Sequence, residues 1–212
     1  MIIREAVRPL PGLRRVSLLR QRLAYGDSAR YWERNYARGA TSGSGSGTLA
    51  EGKSRFLNTL VREHVGCGDG NQLALADYPR YVGLDVSRSA IALCQRRFAA
   101  DPAKSFFLYD GTCFTDRAGI FTADLALSLD VVYHLTEDTV FETYLAHLFA
   151  AGRRLVVVYS TDEEMSGTAP HVRHRHFTPW IEANCPGWAL TGVTRGPNAD
   201  RARADFFVYE RQ

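Results

Sequence analysis

The sequence predicts an α/β protein built on a doubly wound, mostly parallel sheet that closes with an antiparallel C-terminal hairpin. Three observations carry this. From residue 49 onward, short apolar runs alternate with stretches of helical periodicity. Two of the runs, Leu125 to Leu129 and Leu155 to Tyr159, are apolar almost throughout, the pattern of strands covered on both faces. The tail then changes character, with strand-like runs at Trp188 to Val193 and Ala204 to Tyr209 flanking the turn signal Gly196-Pro197-Asn198.

Taken in order, residues 1 to 38 are basic and helical in part, with Tyr25, Tyr31, Trp32 and Tyr36 available for packing. Gly39 to Gly47 reads as a flexible loop, serving either as a bare linker or as a lid. The chain divides accordingly into an N-terminal basic segment with its Gly/Ser lid, 1–48, and a main domain, 49–212. Leu49 to His64 is predicted helical, since Leu57, Leu60, Val61 and Val65 recur at helical spacing. Tyr81 to Leu84 is a strand. Ser87 caps a helix that runs to about Ala99 and buries Ala90, Ile91, Cys94 and Phe98, with Asp101-Pro102 ending it. Phe106 to Tyr109 is a strand. A helix starting at Thr136 carries the stripe Val140, Phe141, Tyr144, Leu145, Leu148 and Phe149 and stops at Gly152.

Composition excludes several function classes. At 212 residues, 45% apolar and 23% charged, the chain is an ordinary globular protein with room for a full core. A net charge of +3 is too small to argue for nucleic acid, although arginines cluster between Arg4 and Arg34, where they read as a solvated helix face. No apolar run approaches the roughly 20 residues of a membrane span, so no membrane partner is expected. Cys67, Cys94, Cys113 and Cys185 show no Cys-x-x-Cys spacing, which points to reduced thiols in the cytoplasm. Oligomeric state is not legible.

The chemistry concentrates at strand ends. Gly66-Cys67-Gly68-Asp69-Gly70 is followed, nineteen residues after Gly66, by Asp85 at the tip of Tyr81-Val82-Gly83-Leu84-Asp85. Alternate glycines let a turn pass tightly against a ligand. An acid about twenty residues on suits a ribose whose hydroxyls need an acceptor. Asp85, Asp110 and Asp130 fall at the ends of successive strands, where an open α/β sheet binds its ligand. A dinucleotide fingerprint wants its third small residue one position later than Gly70, where Asn71 stands, and Asp69 would repel a pyrophosphate. A cationic sulfonium cofactor without phosphate tolerates such a turn, which favours S-adenosylmethionine over a nicotinamide dinucleotide.

The runs Gly66 to Leu73, Tyr81 to Ser87 and Asp124 to Leu135 resemble, in order and separation, the class I S-adenosylmethionine-dependent methyltransferases of the bacterial small-molecule type. That resemblance implies methyl transfer to an oxygen or nitrogen of a small molecule. It implies that Gly66, Cys67, Gly68 and Gly70 contact the methionine part. Asp85, with Val86 beside it, takes the ribose; Asp110, Gly111 and Thr112 lie by the adenine, and Asp130 lies near the methionine amine. Tyr31 to Ser46 resembles the N-terminal lid of that family. One departure stands out. Only Val61 to Val65 remain for a central first strand, and Arg62, Glu63 and His64 are poor residues for one.

His134 is the candidate general base, because an unperturbed imidazole accepts a proton near pH 7; its alternative is a cap or a packed ring. Tyr133 is a candidate for lining the substrate pocket. In His171-Val172-Arg173-His174-Arg175-His176, Arg173 and Arg175 form either a cationic wall for an acidic substrate or a solvated strand pairing with Asp162, Glu163 and Glu164. No metal site is expected, since the spacing is irregular and two arginines would repel the ion. Two rivals stay open: a nicotinamide-dependent oxidoreductase, and a non-catalytic S-adenosylmethionine-binding protein.

Overall fold

In a computed structural model, residues 25–41, 43, 47–60, 71, 73–76, 78–165, 169–197 and 203–212 are described. Helix α1, Ser28–Ala37, starts where the Asp27 carboxylate accepts the Arg30 N–H at 2.8 Å. Helix α2 spans Gly47–Leu60. Strand β1 (Tyr81–Asp85) leads into α3 (Arg88–Arg97), where the Ser87 hydroxyl caps the Ala90 N–H as its sequence position foretold. Then follow β2 (Lys104–Leu108), β3 (Ala123–Leu129), α4 (Asp138–Ala151), β4 (Gly152–Ser160), α5 (Thr178–Asn184), β5 (Trp188–Arg195) and β6 (Asp205–Arg211).

The strands form two sheets. β1 and β2 pair in parallel, Gly83 opposite Phe106. The larger sheet has the order β3-β4-β6-β5, with β3 and β4 parallel and Val157 opposite Val208 in the antiparallel β4–β6 pair. The expected C-terminal hairpin is present as antiparallel β5 and β6. With two parallel and two antiparallel pairings among the described residues, the arrangement is mixed rather than mostly parallel. No described strand joins β1 to β3; the first strand expected over Val61 to Val65 lies outside the described residues.

Successive residues of β4 point to opposite faces, so its run of buried residues feeds two cores. Val156 and Val158 pack with Phe141, Leu145, Phe149 and Ile181 beneath α4 and α5. Val157 and Tyr159 pack with Leu57, Tyr81, Ile91, Phe106 and Phe206 on the other side, and this second core spans residues of both sheets. Gly152 ends α4 as the sequence indicates; a Cβ there would come within 2.7 Å of Val156 and 3.0 Å of Trp188. One expectation is corrected and one element is new. Val140 is 40% exposed rather than part of the buried stripe, and α5 was not foreseen. That short helix is set by Pro179 in its first turn and by Asp162, whose carboxylate accepts the Phe177 and Thr178 N–H groups at 2.6 and 3.1 Å.

Candidate functional site

The structure brings the three strand-end acids to one rim but gives them different surroundings. Asp85 closes β1, is half-buried, and accepts the Ser87 N–H at 2.8 Å; Val86 beside it is exposed. Asp110 follows β2 and is exposed. It folds back to accept the Thr112 N–H and hydroxyl at 2.9 and 2.7 Å, which hold its carboxyl below the usual carboxylate range. Gly111 lies against Tyr109, whose hydroxyl would meet a Cβ there at 3.1 Å. Asp130, ending β3, is the most constrained. Its backbone is left-handed at φ 60°, its N–H donates to the Tyr159 carbonyl at 3.0 Å, and its side chain is only 9% exposed. One carboxylate oxygen accepts the Tyr133 hydroxyl at 2.7 Å; the other pairs with the ammonium of Lys53. Gly66, Cys67, Gly68 and Gly70 lie outside the described residues.

Helix α1 bridges this rim. At one end Tyr25 bonds Thr136 at 3.1 Å, and the Ser28 N–H and hydroxyl donate to Glu137 at 3.0 and 2.9 Å. Further along, Glu33 accepts the Ser87 hydroxyl at 2.6 Å, the Ser89 N–H at 3.1 Å and the Ser89 hydroxyl at 2.7 Å. The helix thus joins the turn after β3 to the turn after β1, placing a carboxylate at the positive N-terminal end of α3. Those hydrogen bonds lower the Glu33 carboxyl below its ordinary range.

Under α1 lies a cluster of rings. Trp32 meets His134 edge-on at 4.7 Å, and Tyr31 stacks on His171 at 4.2 Å. His134 donates from Nδ1 to the His171 carbonyl at 2.9 Å, which fixes the neutral tautomer with the Nε2 lone pair free of a proton. Burial pushes its pKa down to about 4. The ring is therefore neutral at pH 7 and a weak base. Tyr133 packs beside it at 4.6 Å, and the Arg173 N–H donates to the Tyr133 carbonyl at 2.8 Å.

The two arginines differ in exposure: Arg173 is exposed, Arg175 buried. Arg175 is buried, donates to the Leu135 carbonyl and to Asp138 at 2.7 Å each, and lies over the Phe141 ring at 4.3 Å. Arg173 shares Asp138 at 2.7 Å and adds the Thr136 carbonyl. Their acidic partner is Asp138 at the start of α4; Asp162 is turned to capping α5. Among the described residues no group of three or more His, Cys, Asp or Glu is placed to hold a metal.

Sequence reasoning missed Lys53 and Glu33. Lys53 has a legible signal. It shares the buried face of α2 with Ala50 and Leu57, at the spacing that elsewhere belongs to apolar residues, and it is 0% exposed. Glu33 has none, because its partners lie more than fifty residues away.

No protein-family model matches the chain, and no curated protein matches it by sequence. Solved structures do match it. The methyltransferase domain of bacterial CtHen1-C is 21% identical, with a TM-score of 0.59 over 76% of this chain and 97% of that one. Magnesium protoporphyrin IX methyltransferase (ChlM) from Synechocystis PCC 6803, with bound SAM, is 13% identical, with a TM-score of 0.60 over 88% and 98%. N-methyltransferase NodS from Bradyrhizobium japonicum WM9 is 18% identical, with a TM-score of 0.52 over 70% and 84%. At these identities the likeness establishes the fold: the chain folds as these methyltransferases do.

Proposed function

We propose that this chain transfers a methyl group from S-adenosylmethionine to an oxygen or nitrogen of a small molecule. The observation that carries the reading is the half-buried carboxylate of Asp85 at the tip of β1, in a chain whose fold is that of S-adenosylmethionine-dependent enzymes. The charged groups at the rim fit that cofactor. Asp85 and Asp130 are carboxylates and Lys53 is an ammonium, a set that suits a diol and a zwitterion. The cofactor supplies a methyl group on sulfonium sulfur, already activated for in-line displacement. The residues therefore contribute alignment and exclusion of water.

In this reading Gly66, Cys67, Gly68 and Gly70 line the methionine part, Asp85 and Val86 the ribose, and Asp110 and Gly111 the adenine. Residues 1–48 provide the lid, 49–212 form the methyltransferase domain, and the two sheets belong to one doubly wound sheet. Tyr133 and His134 face the acceptor. Because burial opposes protonation of His134, its role is to hold the loop and present Nε2 as a hydrogen-bond acceptor. Arg173 and Arg175, both paired with Asp138, are the candidates to meet an acidic group of the substrate. In this reading the partner is a small molecule rather than a nucleic acid or a membrane surface; no described helix is long and apolar enough to cross a membrane. The reading also places the chain in the cytoplasm, with Cys113 and Cys185 as reduced thiols.

Titration with S-adenosylmethionine, S-adenosylhomocysteine and NAD, combined with a search for methylated products, tests this. Binding of the first two and not the third is expected. NAD binding, or no nucleoside binding at all, would overturn the proposal, and binding without product from any acceptor would favour a non-catalytic binding protein.

A further inference from the structure

We propose that Lys53 selects the amino-acid end of the cofactor, pairing with its carboxylate while Asp130 takes its ammonium. The inference rests on the S-adenosylmethionine reading above and adds a residue to it. Lys53 exposes none of its surface; its ammonium sits between the Asp130 carboxylate and the Tyr159 ring, 5.0 Å from the ring centroid. A buried ion pair is a poor device for stability, since an apolar pair of similar volume often serves as well or better. The same point carries backbone strain. Asp130 is the one described non-glycine residue with positive φ, in a region that L-residues other than Asn and Asp rarely enter. Buried charge and strain coincide where the fold gains little from either, and that coincidence marks a ligand site.

Placement and charge agree. Helix α2 begins at the last residue of the Gly/Ser segment and ends six residues before Gly66, so Lys53 lies in sequence between the lid and the glycine turn. An amino-acid zwitterion bears an ammonium and a carboxylate on one carbon. Adjacent Lys53 and Asp130 present the two complementary poles. A carboxylate offers about four lone-pair sites, so Asp130 accommodates an added ammonium while keeping the Tyr133 hydroxyl. A lysine ammonium has three donors and can serve two carboxylates at once.

The test is calorimetric binding of three probes to the full chain: S-adenosylhomocysteine, its decarboxylated analogue, which keeps the amine, and 5′-methylthioadenosine, which has neither charge. The wild type is expected to prefer S-adenosylhomocysteine over the decarboxylated analogue by about 10- to 100-fold, the range of a charge-assisted hydrogen bond. Lys53→Met should shrink that preference to within about threefold while leaving 5′-methylthioadenosine binding within about threefold of wild type. Equal losses for all three probes, or a preserved preference, would show that Lys53 only supports the fold and would overturn the proposal. If Lys53→Met does not fold, Lys53→Met/Asp130→Asn removes both charges and takes its place. A wild type indifferent to the carboxylate overturns the proposal without any variant. A wild type that binds none of the three defeats the adenosyl reading itself.

Discussion

The half of the molecule from β3 to β6 and the half from α1 to β2 share one apolar core, but the second adds polar clamps to it. In the former, β4 is flanked by strands on both sides, and α4 lays Phe141, Leu145 and Phe149 on it. In the latter, α1 is clamped by Glu33 to Ser87 and Ser89 and by Ser28 to Glu137, and α2 is tied to the rim by Lys53 and Asp130. Apolar burial is non-directional and keeps an element in place whatever binds nearby. Hydrogen bonds and ion pairs can be exchanged for similar ones to a ligand. The shared apolar cores are the scaffold, and the polar clamps on α1 and α2 are the part suited to respond to a ligand.

That contrast can be broken most severely at Lys53. Lys53→Met leaves Asp130 buried without its counter-charge and should cost about 3–5 kcal/mol by denaturant melting, largely recovered in Lys53→Met/Asp130→Asn. If the single variant is as stable as wild type, the pair does not bind the two halves.

Acid provides the next test. The unfolded chain protonates His134 near its ordinary 6.5, whereas the folded chain resists until about 4. The unfolded state therefore binds more protons in that interval. Stability from this residue is complete above pH 6.5 and falls between 6.5 and 4 by roughly 3 kcal/mol, at about 1.36 kcal/mol per pH unit. Comparing urea midpoints of wild type and His134→Gln at pH 7 and pH 4.5 isolates it, and parallel pH dependences would mean the ring is not buried as described.

Asp85→Ala should weaken S-adenosylhomocysteine binding by roughly 1–3 kcal/mol with little change in melting. Unchanged affinity would remove the ribose from β1. The smallest effect belongs to Glu33→Gln, about 0.3–1 kcal/mol from a charge at a helix N-terminus, seen as faster hydrogen exchange in α1 alone. Because the folded Glu33 pKa lies below its ordinary 4.5, this clamp is intact above that value and is lost as pH falls through the lowered one.

Legibility followed the same division. The apolar runs at 125–129 and 155–159 became β3 and β4, and Ser87 capped the helix assigned to it, because each signal is local and repeats along the chain. The stripe of α4 failed only at Val140, since periodicity gives a face and not its edges. At the site, Asp85, Asp110 and Asp130 could be placed at strand ends by counting. Which of them would be exposed, half-buried or ion-paired could not, because burial depends on what crosses above.

By itself, the order of residues determined the alternation of strand and helix, the closing hairpin and the ring of carboxylates, all of which follow from spacing along one chain. Only the folded structure decided that Lys53 reaches Asp130, that Glu33 reaches Ser87, and that Asp138 engages Arg173 and Arg175. Such pairings join residues dozens of positions apart. A charge carries no sequence mark of its partner; only proximity, and the removal of water that makes proximity count, selects one.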